Sequence, residues 1–174
     1  MHDVAVVGCG PVGALLAARL ATAGHDVVVL DREPAPYPLP RGVAADGEVL
    51  ELLERTAPGS TAGFLRDPEV RFVGAAGDEL GRLRFPVPGL AFFRQPVLEE
   101  RLRTAAVGAG ADLRLGTAVT GLVQDSDGVV ARTSAGPLRA RWLVGCDGAS
   151  STVRGLAGLP WRGRDLPHRW VVCD

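Results

Sequence analysis

The chain has 174 residues, 47% of them apolar and 22% charged, which supports one buried core and excludes a disordered tail. All 19 basic residues are Arg, so a P-loop phosphate Lys, a Schiff-base Lys and a catalytic Lys are excluded. Those Arg are scattered among 20 acidic residues at a net charge of −1, leaving no basic stripe for nucleic acid.

Ile and Asn are absent as well as Lys, and because these residue types share AT-rich codons the composition points to a GC-rich bacterial genome. Cys9, Cys146 and Cys173 form no CxxC, and with only His2, His25 and His168 there is no zinc spacing. The apolar run before Gly8 is too short for a signal-peptide core and no segment approaches a membrane span. The expectation is a cytoplasmic protein with reduced thiols and no membrane contact.

Taken in chain order, Val4 to Val7 is a continuous apolar run, as in a parallel strand covered on both faces, and it leads directly into Gly8-Cys9-Gly10-Pro11-Val12-Gly13. Ala14, Leu15, Ala18, Leu20 and Ala21 then suit a helix packed closely on a sheet and closed by Gly24. Val27 to Leu30 is a second strand, ended by Asp31-Arg32-Glu33. Four prolines between Pro34 and Pro40 demand an extended connection. Asp46 caps a helix through about Arg55. Val70 to Val73 and Leu83 to Phe85 read as strands around the Gly77-Asp78 turn. Ala91 to Phe93 leads into a helix from Gln95 to about Val107, and Leu113 to Leu115 restores a strand. Val119 to Val123, Val129 to Thr133 and Leu138 to Val144 are three more strands, with Asp127-Gly128 as a hairpin turn.

The GxGxxG run gains its meaning from context, because it lies between a strand and a helix with Asp31 18 residues beyond Gly13. Gly8 allows the tight turn, Gly10 lets the backbone approach a pyrophosphate and Gly13 permits close helix-strand packing. Pro11 and Val12 open the helix whose N-terminus faces the phosphates. Asp31, with Arg32 beside it, stands where a carboxylate accepts hydrogen bonds from ribose hydroxyls. FAD and NAD use the same turn, so the motif alone does not choose between them.

The segments VAVVGCGPVGALLAARLATAGHDVVVLDRE, PYPLPRGVAADGEVLELLE, FFRQPVLEERL and VGCDGASSTVR resemble the N-terminal part of class A flavoprotein aromatic hydroxylases, the para-hydroxybenzoate hydroxylase-like monooxygenases. YPLPR, RQPVLE and the ending LPHRWVVCD are most similar to the 3-(3-hydroxyphenyl)propionate hydroxylase branch. The resemblance implies an α/β fold, a Rossmann-like FAD-binding domain of the glutathione-reductase type. An antiparallel β-meander is inserted near residues 117–133, and a substrate sheet is left incomplete. On this resemblance residues 1–156 would form the FAD-binding domain and 157–174 the start of a truncated substrate domain. It implies FAD as cofactor, NAD(P)H as reductant and a small aromatic substrate. Arg41 would lie beside the flavin, Gln95 would hydrogen-bond the cofactor, and Asp147 of the DG motif would join a network for FAD and NAD(P)H.

Where the related branch carries a His-Leu-Asp-Asp-Glu-like run, this chain has Ala44-Ala45-Asp46-Gly47-Glu48, and Arg94 replaces a His before Gln95. Gly77-Asp78 lacks the continuation of the family's second FAD motif and is assigned to a turn. The relatives exceed twice this length, so two readings stay open. One is part of an aromatic monooxygenase that is inactive alone; the other is an FAD-binding module without turnover, completed by a partner chain or self-associating through an uncovered sheet. Cys9, Cys146 and His168 are read as non-catalytic.

Overall fold

Alternation along β1 (His2–Val7) sends Val4 and Val6 to one face of a sheet and Ala5 and Val7 to the other, both faces being buried. A computed structural model describes residues 1–38, 41–67, 69–85, 89–164 and 167. The chain continues through α1 (Pro11–Thr22), β2 (Val27–Asp31), β3 (Ala44–Ala45), α2 (Gly47–Thr56), β4 (Leu65–Asp67), β5 (Glu69–Val73), β6 (Glu79–Arg84) and β7 (Leu90–Phe92). It ends in α3 (Gln95–Gly108), β8 (Asp112–Leu115), β9 (Val119–Asp125), β10 (Gly128–Thr133), β11 (Gly136–Gly145) and α4 (Thr152–Leu156).

The main sheet runs β8-β2-β1-β11-β10-β9. Its first four strands are parallel, with Val6 opposite both Val29 and Val144, and β9 to β11 form the expected antiparallel meander. The meander is not a separate layer: its last strand, β11, pairs directly with β1 and so carries the DG loop to the end of the sheet where the GxGxxG loop lies.

One face of the sheet is covered by α1 and α3. The buried stripe of α1 is Gly13, Ala14, Ala17, Ala18 and Ala21, so the helix backbone can approach the Val-rich strands closely. Helix α3 adds Leu98, Leu102 and Ala106 at four-residue spacing. On the other face Ala5, Val7, Val28 and Leu30 gather with Val119, Ala131, Leu138 and Ala140. Gly24, at φ +89°, closes α1 as expected. Asp46 caps α2 by accepting from the Val49 amide at 3.0 Å.

Two short strands have no counterpart in the sequence reading. Ala44–Ala45 and Leu65–Asp67 flank β7 in a three-stranded sheet, and runs of two or three residues leave too little periodicity to detect. Phe64 and Phe93 stack beneath it with ring centroids 5.0 Å apart. Gly77-Asp78 does lie in a hairpin turn, between β5 and β6. Residues 157–164 contain no helix or strand. His168, Cys173 and all but one of residues 165–174, the end of the expected substrate-domain segment, lie outside the described residues.

The close approach of α1 to the first loop is absolute at one point: a Cβ on Gly13 would stand 1.8 Å from the Gly8 carbonyl oxygen. Gly13→Ala should therefore cost at least about 3 kcal/mol in urea unfolding, as expected for backbone overpacking. Gly10→Ala, with nothing within 4 Å of the added Cβ and an ordinary φ of −71°, should stay within about 1 kcal/mol of the parent.

Candidate functional site

The strand order reverses at β1, with β2 on one side and β11 on the other, and the loops leaving these strands diverge around a cavity of about 520 Å³. Such a switch point is where open α/β sheets bind ligands. Three backbone hydrogen bonds bind the rim together. Gly8 N–H donates to the Leu30 carbonyl at 2.7 Å, Cys146 N–H to the Val7 carbonyl at 2.6 Å, and Thr117 N–H to the Asp31 carbonyl at 2.7 Å.

The three motif glycines have different surroundings. Gly8 sits at φ +99° with its missing Cβ facing the Cys146 carbonyl at 2.5 Å, and Gly13 is pressed on Gly8; both serve chain packing. Gly10 faces open space in the cavity wall. It is also the N-cap of α1, contributes no side-chain cap, and is followed by a first turn without an acidic residue. The helix therefore presents its positive end to the cavity, the arrangement that suits a diphosphate. A Cβ at Gly10 would project into that space.

Asp31 ends β2 at the cavity edge. Its Oδ2 accepts the Cys9 amide at 2.5 Å and its Oδ1 the Glu33 amide at 2.9 Å. Each oxygen keeps a lone pair, so the carboxylate fastens the first loop and can still accept from ribose hydroxyls. Arg32 is exposed and reaches Glu33 at 3.2 Å.

At the opposite wall, Gln95 opens α3. Its Oε1 accepts the amides of Arg41 and Gly42 at 3.1 and 2.8 Å, while its Nε2 donates to Glu99 at 2.6 Å. Its carbonyl oxygen is thus committed to the 41–42 loop, and toward a ligand it offers its second amide hydrogen. The Arg41 guanidinium stacks 4.1 Å from the ring centroid of Tyr37. Asp147 is a turn-former: Oδ2 accepts from the Thr152 and Val153 amides at 2.6 and 3.1 Å, and Oδ1 from the Ser151 hydroxyl at 2.6 Å. Ser151 in turn caps α4 through the Arg154 amide, and Arg154 donates to the Ala149 carbonyl at 2.9 Å.

Every residue expected to touch the cofactor lines this one cavity except Gly13, which lies behind it. Sequence reasoning missed Glu99 and Arg103, buried residues that share a stripe of α3 with Gln95 and line the same cavity. The available signal was spacing: polar residues at 95, 99 and 103 run beside the apolar stripe 98, 102 and 106, too close to it to face solvent.

Cys9 is completely buried, and burial pushes its thiol up from 9.0 to about 11, outweighing the opposing pull of Arg103. Burial raises Cys146 as well. Neither thiol has the depressed pKa of a nucleophile. Because the folded state holds the Cys9 proton more tightly, stability is whole below pH 9 and falls as pH rises toward about 11. Comparing urea unfolding of the parent and Cys9→Ala from pH 8 to 11 should show the parent losing about 2 kcal/mol more than the variant.

The whole chain, residues 1–174, matches the family described as FAD binding domain. It is 36% identical over 98% of its length to 12-dehydrotetracycline 5-monooxygenase/anhydrotetracycline 6-monooxygenase of Streptomyces rimosus. It is 34% identical over 99% of its length to 3-(3-hydroxy-phenyl)propionate/3-hydroxycinnamic acid hydroxylase 2 of Burkholderia vietnamiensis. It covers 35% and 34% of those proteins, so it spans about a third of the curated relatives it matches. Among solved structures, p-nitrophenol 4-monooxygenase PnpA from Pseudomonas putida superposes with a TM-score of 0.83 at 29% identity, over 91% of this chain and 44% of that one. With a switch-point cavity, an open Gly10 face and this match over its full length, the chain belongs to the FAD binding domain family.

Proposed function

We propose that this chain binds FAD in the switch-point cavity and forms the FAD-binding portion of a monooxygenase that hydroxylates a small aromatic substrate at the expense of NAD(P)H and O2. The observation that carries the binding reading is Gly10, whose open face lies on a helix N-terminus free of side-chain caps. The residues present fit the group: Asp31 has lone pairs left for the adenosine ribose, α1 directs its amides at a diphosphate, and Arg41 and Gln95 stand at the opposite wall.

When bound, FAD would carry electrons from NAD(P)H to O2; the chain's own residues bind and orient it. Asp31 holds the Cys9 amide and would also hold the ribose, so one side chain would set both the ribose and the diphosphate sites. Gln95 keeps the 41–42 backbone against α3, which fixes where the Arg41 side chain starts. Asp147 shapes the DG turn on the β11 side and holds it at the cavity rim. In this reading residues 1–156 are the FAD-binding domain and 157–174 begin a substrate domain. Among the described residues no helix is long and apolar enough to cross a membrane. A cytoplasmic location belongs to the proposal, because NAD(P)H is supplied there.

The test is calorimetry with FAD. Gly10→Val should melt like the parent, yet bind FAD about a hundredfold or more weakly, because its side chain occupies the diphosphate approach. Asp31→Ala should weaken FAD by roughly 1.5–3 kcal/mol. Equal FAD affinity in the parent and Gly10→Val would overturn the site. Given FAD, NAD(P)H and a panel of phenolic acids, the chain alone should yield peroxide and no hydroxylated product, because water exclusion and substrate positioning are not supplied by the FAD-binding portion. Stoichiometric product with little peroxide would overturn the reading that this portion is inactive alone.

A further inference from the structure

Arg103 is a buried cation whose hydrogen-bonding capacity is mostly unused. Its side chain is 10% exposed, and of its five N–H donors the Nε donor reaches the Cys9 carbonyl at 3.0 Å. Nη2 stands 3.7 Å from Glu99 Oε2, attractive at that range but beyond a hydrogen bond. Nη1 is shut away from water and finds no acceptor among the described residues. A buried guanidinium left in this state costs free energy that an incoming anion would recover.

The cavity's own carboxylates do not answer that need. Asp31 is fastened to the Cys9 and Glu33 amides, Glu33 pairs with Arg32, Asp147 accepts from Ser151, Thr152 and Val153, and Glu99 accepts from Gln95 Nε2. Glu99 also poses a problem for the ligand, since a buried carboxylate in the wall of a cavity that takes a diphosphate would repel it unless a cation stood beside it. Arg103 stands there, lining the same cavity as Gly10 and the first turn of α1.

We propose that Arg103 is a diphosphate-binding residue, its guanidinium donating from α3 to the diphosphate of the bound dinucleotide while the amides of α1 act from the other side. This rests on the dinucleotide-binding reading above. It makes α3 a second anion-recognising element, through the part of the guanidinium that lines the cavity.

The experiment compares the parent chain with Arg103→Gln, which keeps an N–H for the Cys9 carbonyl but removes the charge, and with Arg103→Met. FAD, ADP and adenosine are titrated by calorimetry, and the melting of each apo variant is recorded. The expected result is a tenfold or greater loss for both FAD and ADP in Arg103→Gln, with adenosine changed less than twofold. If Arg103→Met fails to fold, Arg103→Gln carries the test alone. Equal losses for ADP and adenosine, or none, would overturn the assignment and leave Arg103 as a support for the Cys9 loop. A parent chain that binds ADP through Arg103 but not FAD would sustain the diphosphate site and overturn the flavin reading. FAD bound equally by the parent and Arg103→Gln would do the reverse, and a parent that binds neither would overturn both.

Discussion

The peptide groups flanking one residue hold the site in shape. Cys9 has its amide on the carboxylate of Asp31, from the end of β2, and its carbonyl on the guanidinium of Arg103, from the middle of α3. Its thiol is sealed in the core against the helices. A loop between a strand and a helix would ordinarily be free to shift, but this one is fastened by charged partners that are themselves largely withdrawn from water, where such hydrogen bonds are stronger. The positive φ of Gly8 and the close contact of Gly13 with the Gly8 carbonyl accompany that fastening, and together they turn the chain from β1 into α1.

The same argument explains why α3 carries a polar stripe into the interior. Gln95 holds the 41–42 loop, Glu99 holds Gln95, and Arg103 holds Cys9. Eight residues of helix span about 12 Å, so one rigid element sets the separation between two walls of the cavity. A purely apolar α3 would pack on α1 as well or better, yet would leave the 41–42 amides and the Cys9 carbonyl without these partners. The buried polar groups cost desolvation, and what they secure is geometry.

How much of this was legible in the sequence divides along physical lines. The β1-α1-β2 unit, the capping Asp46, the Gly77-Asp78 turn and the three-stranded meander all announce themselves through local chemistry: apolar runs, capping residues and turn residues. β3 and β4 do not, because strands of two or three residues exist only through pairing with β7. The continuity of the meander with the parallel sheet is likewise a non-local fact, fixed by the β1–β11 register. For the site, the positions were legible but several partners were not. Gln95 and Asp147 were expected to face a cofactor. Both line the cavity, yet most of their hydrogen bonds go to the protein's own backbone and side chains, which sequence spacing cannot distinguish from ligand contacts.

The glycine motif itself separates into two functions once the surroundings of each residue are known. Gly8 and Gly13 answer to the backbone: their neighbours are carbonyl oxygens at 2.5 and 1.8 Å from a hypothetical Cβ, and no ligand is needed to explain them. Gly10 has no such neighbour and an ordinary φ, so nothing in the folded chain demands glycine there. A Rossmann-type turn could therefore survive with a side chain at the middle glycine and still fold. The presence of glycine at a position that folding leaves free is an argument about what approaches from outside. It points to a ligand whose own atoms must come within contact distance of the main chain, as the diphosphate of a dinucleotide does.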